Sequence, residues 1–411
     1  MNVLVFNCGS SSLKYRLIRM PEENEIAGGE AQRVGPRTAE PPRILHRVRG
    51  ETETHLADMP DHAAAFDQVM ALLGQGGNMM PDVVAHRVVH GGGRFDRAAL
   101  VTDASLADLE AVKSMAPIHN PPAMKLIYAC RERYPSLPQV AVFDTAFHDR
   151  MPGYALEYAL PRPLVETYGI RKYGFHGISH GYVTTEAARL LGKPLDEFSG
   201  VSCHLGSGGA SLCAVVNGRS VDNTMGYSPL QGLIMSTRCG DLDPAVVLRM
   251  FHLEGDDISA VEKVLNKNSG VLGLSGESAD IRDVLAAAVG TAGDNDRAAL
   301  AREVYLWRLR KYLGAYLTVA GSADAVVFTD TIGETVPAVR WAVCAGLEVF
   351  GLKLDALLNS VVERLPADVA AADSAVRALV IATNEEISIA REAATLLSGL
   401  ALKPKGARQT Q

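Results

Sequence analysis

The chain has 411 residues, 47% of them hydrophobic and 21% charged, with a formal net charge of -7 at pH 7. That length exceeds what one hydrophobic core serves, so two domains are expected, and an acidic balance without a long basic run argues against nucleic acid as the main partner. Six cysteines (Cys8, Cys130, Cys203, Cys213, Cys239, Cys344) lack CxxC spacing, no apolar run reaches membrane-spanning length and no cleavable leader pattern opens the chain, so a cytoplasmic protein with reduced thiols and no membrane partner is expected.

The apolar run Val3-Leu4-Val5-Phe6 reads as a buried strand over 2–7, and the alternation from Ser12 reads as a second strand over 12–20. Between them, Asn7-Cys8-Gly9-Ser10-Ser11-Ser12-Leu13-Lys14 places a glycine, three hydroxyls, an amide and a cation in a tight turn. Such a turn exposes backbone N–H groups, Gly9 allows close approach and Lys14 adds positive charge, which is the chemistry of a phosphate cradle. The spacing is not that of a Walker A loop, and a serine-rich surface hairpin is the plain alternative.

The stretch 20–42, rich in Gly, Pro and Glu, reads as loop and turn. A strand over 44–50, a helix over 62–73, a strand over 82–90, two helices across 105–133 and a strand over 139–144 follow. Beyond Tyr168 come a helix over 179–191, a strand over 201–205, a glycine-rich turn and a hairpin through 212–216 and 220–222. A long amphipathic helix over 296–319 then precedes a strand over 325–329, a glycine turn and a helix over 337–352. Residues 365–373 read as a surface connection, 385–397 as a helix and 403–411 as a frayed tail. Two halves that each open strand, glycine turn, strand suggest a duplicated α/β fold. Residue-level self-similarity is weak, so the duplication is a topological inference.

Taken singly, the chemistry-bearing residues have two readings each. Arg87, behind a buried-looking strand, and Arg238, in a Ser/Thr/Gly-rich loop, suit a structural salt bridge as well as an anion clamp. His176 between Phe175 and Gly177 suits a satisfied core histidine, and Glu385 at a helix start suits the helix dipole. Asn7 suits the ordering of its own turn, and Val89, Ile118, Phe175 and Pro229 suit plain core.

The series of motifs is more specific than its members. Asn-x-Gly-Ser-Ser-Ser-x-Lys at the N-terminus resembles the first signature of the acetate kinases, and further matches follow in that family's order. They are Ala85-His86-Arg87-Val88-Val89-His90-Gly91-Gly92, Ala116-Pro117-Ile118-His119-Asn120-Pro121-Pro122, Phe143-Asp144-Thr145-Ala146-Phe147-His148 and Tyr173-Gly174-Phe175-His176-Gly177-Ile178-Ser179-His180. Met225-Gly226-Tyr227-Ser228-Pro229-Leu230, Thr237-Arg238-Cys239-Gly240-Asp241-Leu242-Asp243-Pro244 and Thr383-Asn384-Glu385-Glu386 complete the series.

The resemblance implies an α/β, two-lobed actin/hexokinase-like (ribonuclease H-like, duplicated) fold with an interlobe cleft. Residues 1–150, joined by 384–411, would form the N-terminal lobe with the phosphate hairpin and acceptor side. Residues 151–383 would form the nucleotide-side lobe carrying a homodimer contact. The implied activity is phosphoryl transfer from ATP to acetate with Mg2+. Arg87 and Arg238 would clamp the acceptor carboxylate and the transferring phosphoryl, His176 would hydrogen-bond that phosphoryl, and Asp144 would order Arg87 or the metal's hydration shell. Ser10, Ser12 and Lys14 would line the phosphate hairpin, and His204, Gly206, Ser207 and Gly208 a second phosphate turn. Val89, Ile118, His119, Phe175 and Pro229 would form the acceptor pocket, and Asn7 and Glu385 would associate with the metal. His148 and His180 read as structural.

Two departures fall on the donor side. The family's loop after Cys-His-Leu-Gly continues Asn-Gly-Ala-Ser, whereas here Ser207-Gly208-Gly209-Ala210-Ser211 follows Gly206. Its nucleoside motif Gly-Gly-Ile-Gly-Glu-Asn is replaced by Asp330-Thr331-Ile332-Gly333-Glu334-Thr335. Asp330, Thr331 and Gly333 are still assigned to the nucleotide, with Asp330 set either to accept a ribose hydroxyl or to repel an anion. Small changes also occur at Ala123 and Gln231, where the family usually has Asn and Glu. A non-ATP donor such as pyrophosphate, propionate as acceptor, and a non-catalytic sensor are the alternatives.

Overall fold

Strand β1 (Asn2–Cys8) buries Val3, Leu4, Val5 and Phe6 because helices cover both faces of its sheet. The computed structural model describes residues 1–9, 11–36, 40–75, 79–117, 119–287 and 296–401. The chain falls into two units, Met1–Ala146 with Asn384–Gln411, and Phe147–Thr383. In the first, β1 pairs antiparallel with β2 (Ser12–Arg19), and β3 (Asn24–Gln32), β4 (Arg43–Val48) and β5 (Glu51–Leu56) continue antiparallel to the edge. On its other side β1 runs parallel to β6 (Val83–Val88), and the two-residue β7 (Ala99–Leu100) flanks β8 (Gln139–Phe143), which is parallel to β6. The strand order is β5-β4-β3-β2-β1-β6-β8-β7.

Alternation along β2 sorts the two faces. Leu13, Tyr15 and Leu17 share a core with Leu4 and Phe6 and with Phe66, Val69 and Leu73 of helix His62–Gln75. Burying each such side chain is worth about 1.5–3 kcal/mol. Asn7, Lys14 and Arg87 project from the opposite face, which helix Glu385–Ala401 covers with Ile389, Ala390 and Ala393.

In the second unit β9 (Gly200–Leu205) is antiparallel to β10 (Ala210–Val216), which pairs with β11 (Arg219–Asn223). β9 is also parallel to β12 (Ala325–Thr329). The two-residue β13 (Ala367–Asp368) flanks β14 (Arg377–Val380), itself parallel to β12. The order is β11-β10-β9-β12-β14-β13. The cores β3-β2-β1-β6-β8 and β11-β10-β9-β12-β14 therefore share one arrangement, two antiparallel pairings followed by two parallel ones, and the expected duplication holds. Helix Gly177–Leu190 packs Val183 and Ala187 against Phe198, Val215, Ala325 and Val327, and helix Asp296–Ala320 lies against β9 and β10.

Some expectations need correction. Residues 20–42 contain β3, because Gly29 answers a packing demand and not a turn. A Cβ there would lie 2.0 Å from the Leu45 carbonyl and 2.7 Å from Tyr15 Oη. The glycine turn expected after β12 is the short helix Asp330–Thr335, and the following helix ends at Cys344, where Ala345 turns extended and Gly346 takes φ +77°. Residues 365–373 include β13 and bury Val369 and Ala370, so they are more than a surface connection. β5 has no counterpart among the expected strands. The tail 403–411 lies outside the described residues.

Candidate active site

Adjacent parallel strands bring their C-terminal ends together, and in the first unit β1, β6 and β8 present Asn7, Arg87 and Asp144 there. Arg87 donates from Nε to Asp144 Oδ1 at 2.9 Å and from Nη2 to Asp144 Oδ2 at 2.6 Å, a bidentate pair. Its Nη1 donates to Asn7 Oδ1 at 3.2 Å and lies 3.4 Å from Glu385 Oε2, at the first position of its helix. Burial pulls the guanidinium pKa down, but the charges of Asp144, Glu385 and Glu386 and the bond to Asp144 more than reverse this, so Arg87 stays a firm cation. Asp144 is only 1% exposed, which makes Arg87 its counter-charge.

Asn7 Oδ1 and Glu385 Oε2 are the oxygen donors a hard divalent cation takes while keeping much of its water. Among the described residues there is no group of three or more His, Cys, Asp or Glu suited to a metal. Lys14 is exposed on β2, directly opposite Asn7 in the ladder. In the turn before it, Gly9 N donates to Ser12 O at 2.9 Å and His62 Nε2 bonds Gly9 O at 2.9 Å. Ser10 and Ile118 lie outside the described residues.

In the second unit His176 stands at the N-cap of helix Gly177–Leu190 with φ +56°, a left-handed conformation few residues other than glycine adopt. Buried His148 fixes the preceding residue: its Nε2 lies 3.0 Å from Phe175 O and its Nδ1 2.7 Å from Ser220 Oγ. Gly174, at φ +75°, packs so closely that a Cβ would come 2.7 Å from the His148 ring. His180 bridges Ser202 Oγ and Ser211 Oγ at 2.8 Å each, and Ser211 Oγ lies 2.9 Å from His176 Nδ1. Burial lowers the pKa of His148 to about 4 and that of His180 well below its usual value, so both are neutral supports.

The His176 ring stacks on His204, with centroids 4.1 Å apart and planes at 28°. His204 Nδ1 contacts Ser179 Oγ at 2.8 Å, and Nε2 contacts Asp330 Oδ2 at 3.0 Å. Between β9 and β10 the turn closes with Gly206 N donating to Gly209 O at 2.9 Å. Ser207 and Gly208 at its tip are exposed, and Ser236 Oγ donates to Ser207 O. A Cβ on Gly209 would lie 3.4 Å from His176 Nε2 and 3.7 Å from Arg238 Nη1, so both side chains reach this turn. Arg238 Nη1 has Pro229 O at 3.4 Å and Met235 Sδ at 3.6 Å, and among the described residues no carboxylate pairs with it. Burial without a counter-charge lowers its pKa.

Asp330, at φ +61°, extends its carboxylate over the same turn: a Cβ on Gly206 would meet Asp330 Oδ2 at 2.5 Å. Its Oδ1 accepts from Thr331 N at 2.6 Å and Thr331 Oγ1 at 3.0 Å. Burial raises the Asp330 carboxyl, but His204 and Thr331 lower it by more, leaving it well below the usual carboxylate range. Gly333 is buried in the short helix, where its carbonyl accepts from Arg340 Nη1 at 2.8 Å. Phe175 is 1% exposed, Val89, His119 and Pro229 are half-buried, and His119 stands at the N-cap position of helix Asn120–Arg133 without a side-chain capping bond.

The structure thus gathers Asn7, Arg87, Asp144 and Glu385 in the first unit and His176, His204, Gly206, Arg238 and Asp330 in the second. Sequence reasoning missed the supports Ser211, Ser179, Glu334 and Arg340. A signal existed for the serines, because polar residues on continuously buried strands and helices need partners. A separate cavity of about 530 Å³, lined by His46, Glu53, His55 and Leu72 among others, lies at the β4–β5 edge on the sheet face away from Arg87, and contains none of these residues.

Two units with one five-strand core, each with a polar turn behind its first strand, define an actin/hexokinase-like α/β protein, and Arg238 with His176 at a glycine turn suits the anions of a phosphotransferase. The chain belongs to the acetokinase family, whose sequence model matches residues 2–391. It is 45% identical over 404 residues to the acetate kinase of Alkaliphilus metalliredigens, covering 97% of this chain and 100% of that protein. The crystal structure of Porphyromonas gingivalis acetate kinase matches with a TM-score of 0.88 and 36% identity over 96% of this chain and 99% of that one. A propionate kinase from Francisella tularensis matches with a TM-score of 0.87 and 35% identity over 95% of this chain and 98% of that one.

Proposed function

We propose that this chain catalyses reversible phosphoryl transfer between ATP and acetate, giving acetyl phosphate and ADP. The observation that carries the reading is Arg238, a half-buried guanidinium without a carboxylate partner among the described residues, beside His176 at a glycine turn. Joining two anions requires such uncommitted positive charge, and a guanidinium binds carboxylate or phosphoryl oxygens bidentately. Membership of a family whose relatives are named acetate kinase supports the same chemistry.

In the mechanism, an acetate oxygen attacks the terminal phosphorus in line with the departing ADP oxygen, and no covalent phosphoenzyme is needed. Arg238, Arg87, Lys14 and His176 offset the charge spread over the equatorial oxygens. Asp144 keeps the Arg87 fork oriented. A bound Mg2+ supplies charge neutralisation on the phosphates, and Asn7 and Glu385 are the residues that would hold it. Ser12 with Lys14, and Gly206, Ser207 and Gly208 with His204, cradle phosphate oxygens through N–H and side-chain donors in this reading, and family resemblance adds Ser10 to the first set. Thr331 borders the nucleoside in this reading, Gly333 instead packs against β9 and β12, and the acceptor's methyl group is assigned by family resemblance to Val89, Ile118, His119, Phe175 and Pro229.

A specific observation favours a second reading of the donor: the Asp330 carboxylate overhangs Gly206, where a nucleotide's own negative charge would pass. Propionate is also an acceptor to assay, since one methylene changes binding by only about 1–3 kcal/mol. A cytoplasmic setting is supported by six free thiols, and no helix among the described residues is long and apolar enough to cross a membrane. Homodimerisation through the second unit is supported by helix Pro244–Leu253, which buries no residue and exposes Leu248 and Leu253. Hydroxylamine trapping of acyl phosphate, with acetate and propionate against ATP, GTP and pyrophosphate, tests the function. Acetohydroxamate formed with ATP supports the main reading, formation with pyrophosphate alone supports the second, and none with any donor overturns both.

A further inference from the structure

Five residues of the second unit close a ring of hydrogen bonds behind the donor-side turn. Asp330 Oδ2 meets His204 Nε2 at 3.0 Å, His204 Nδ1 meets Ser179 Oγ at 2.8 Å, and Ser179 Oγ meets Thr383 Oγ1 at 2.9 Å. The return path is a single carboxylate: Glu334 Oε1 accepts from Thr383 N at 3.1 Å and from Asp330 N at 2.8 Å. Ser179 is fully buried and His204 is 5% exposed, so water does not compete freely for these links. The short helix between Asp330 and Glu334 is fixed at its far end too. Fully buried Arg340 donates to the carbonyls of Gly333 and Glu334 at 2.8 and 2.9 Å, and is itself held by Asn359.

Thr383 is the last residue of the second unit before the chain passes to the first. The next residue, Asn384, caps helix Glu385–Ala401 by accepting from Ile387 N at 3.2 Å, and Glu385 opens that helix beside Arg87. Two routes therefore tie Asp330 to Thr383, one through the Glu334 carboxylate that accepts from both of their backbone N–H groups and one through His204 and Ser179. We infer that Glu334 and Thr383 are positioning residues that couple occupancy of the donor-side turn to the placement of the segment bearing Glu385. The inference rests on donor binding at this turn, as proposed above. Neither residue need touch substrate. A donor phosphate that engages His204 or displaces Asp330 changes one link of the ring, and Thr383 is where both routes end.

The test compares Glu334→Ala, Glu334→Gln and Thr383→Val in the full chain. It measures kcat and KM for acetate and ATP by hydroxamate formation, together with amide hydrogen exchange over residues 384–388 with and without a magnesium-bound, non-hydrolysable ATP analogue. In the wild type the analogue slows exchange there. Glu334→Ala lowers kcat about tenfold or more, leaves KM for acetate within about twofold and abolishes that slowing. Glu334→Gln, which keeps an acceptor oxygen, retains the response and stays within about threefold in kcat. Unaltered kcat in Glu334→Ala, an exchange response equal to that of the wild type, or no response in the wild type overturns the inference. If Glu334→Ala does not fold, Thr383→Val decides by the same readouts, because it removes only the hydroxyl link. A wild type that makes no acyl phosphate sinks the functional reading alone, and the exchange arm still decides the ring.

Discussion

Arg87 and Arg238 carry the same group in opposite settings. In the first unit Arg87 is enclosed by Asp144, Glu385 and Asn7, so its fork is firmly oriented and the two carboxylates leave the cluster with a net negative charge. In the second unit Arg238 has a carbonyl and a thioether for neighbours, and desolvation disfavours its charged form. A paired arginine holds structure, and an unpaired, half-buried one holds a deficit that an anion relieves. The difference makes Arg87 a cation whose direction its carboxylates fix, and Arg238 the cation with charge left over for an anion.

The largest expected effect breaks the paired side. Arg87→Ala leaves the Asp144 carboxylate buried and unpaired, so it destabilises folding by about 3–5 kcal/mol in addition to its loss of activity, as denaturant melts will show. Arg87→Lys keeps the charge without the fork and falls between. The next effect comes from pH. The second unit keeps His148 neutral, with a folded pKa of about 4 against 6.5, so below 6.5 the unfolded chain binds the proton that the folded one refuses. Stability is expected to fall as pH drops from 6.5 towards 4, by up to about 1.4 kcal/mol per unit of separation, and His148→Gln is expected to flatten that slope. The smallest effect concerns Asp330. Asp330→Asn removes one negative charge over the Gly206 turn while keeping an acceptor for His204, and is expected to lower KM for ATP by up to about fivefold with little change in kcat. An unchanged or higher KM would argue that the carboxylate serves the donor.

Much of this was legible in the sequence. β1, β6, β8, β9 and β12 announce themselves as short apolar runs, and the motif series points to the residues that gather at their ends. What remained hidden depends on partners far along the chain. Arg87 and Asp144 are separated by 57 positions, and nothing local distinguishes the paired arginine from the unpaired one. Ser211 gains its meaning from lying opposite His204 in the β9–β10 ladder, which brings it within reach of His176 and His180. β3 was masked because Gly28 and Gly29 read as turn signals, although Gly29 is small to admit Tyr15 and the Leu45 carbonyl. Arg340 gives no charge-pattern clue, since its partners are carbonyls and an amide.

The most direct test is Arg238→Ala, assayed for acetyl phosphate formation and for thermal stability in the same preparation. The account predicts a fall in turnover of about 100- to 1000-fold with a melting temperature unchanged or raised, because the lost group stabilises transferring charge and was costly to bury. Turnover close to that of the wild type, or a melting loss as large as that of Arg87→Ala, would contradict it.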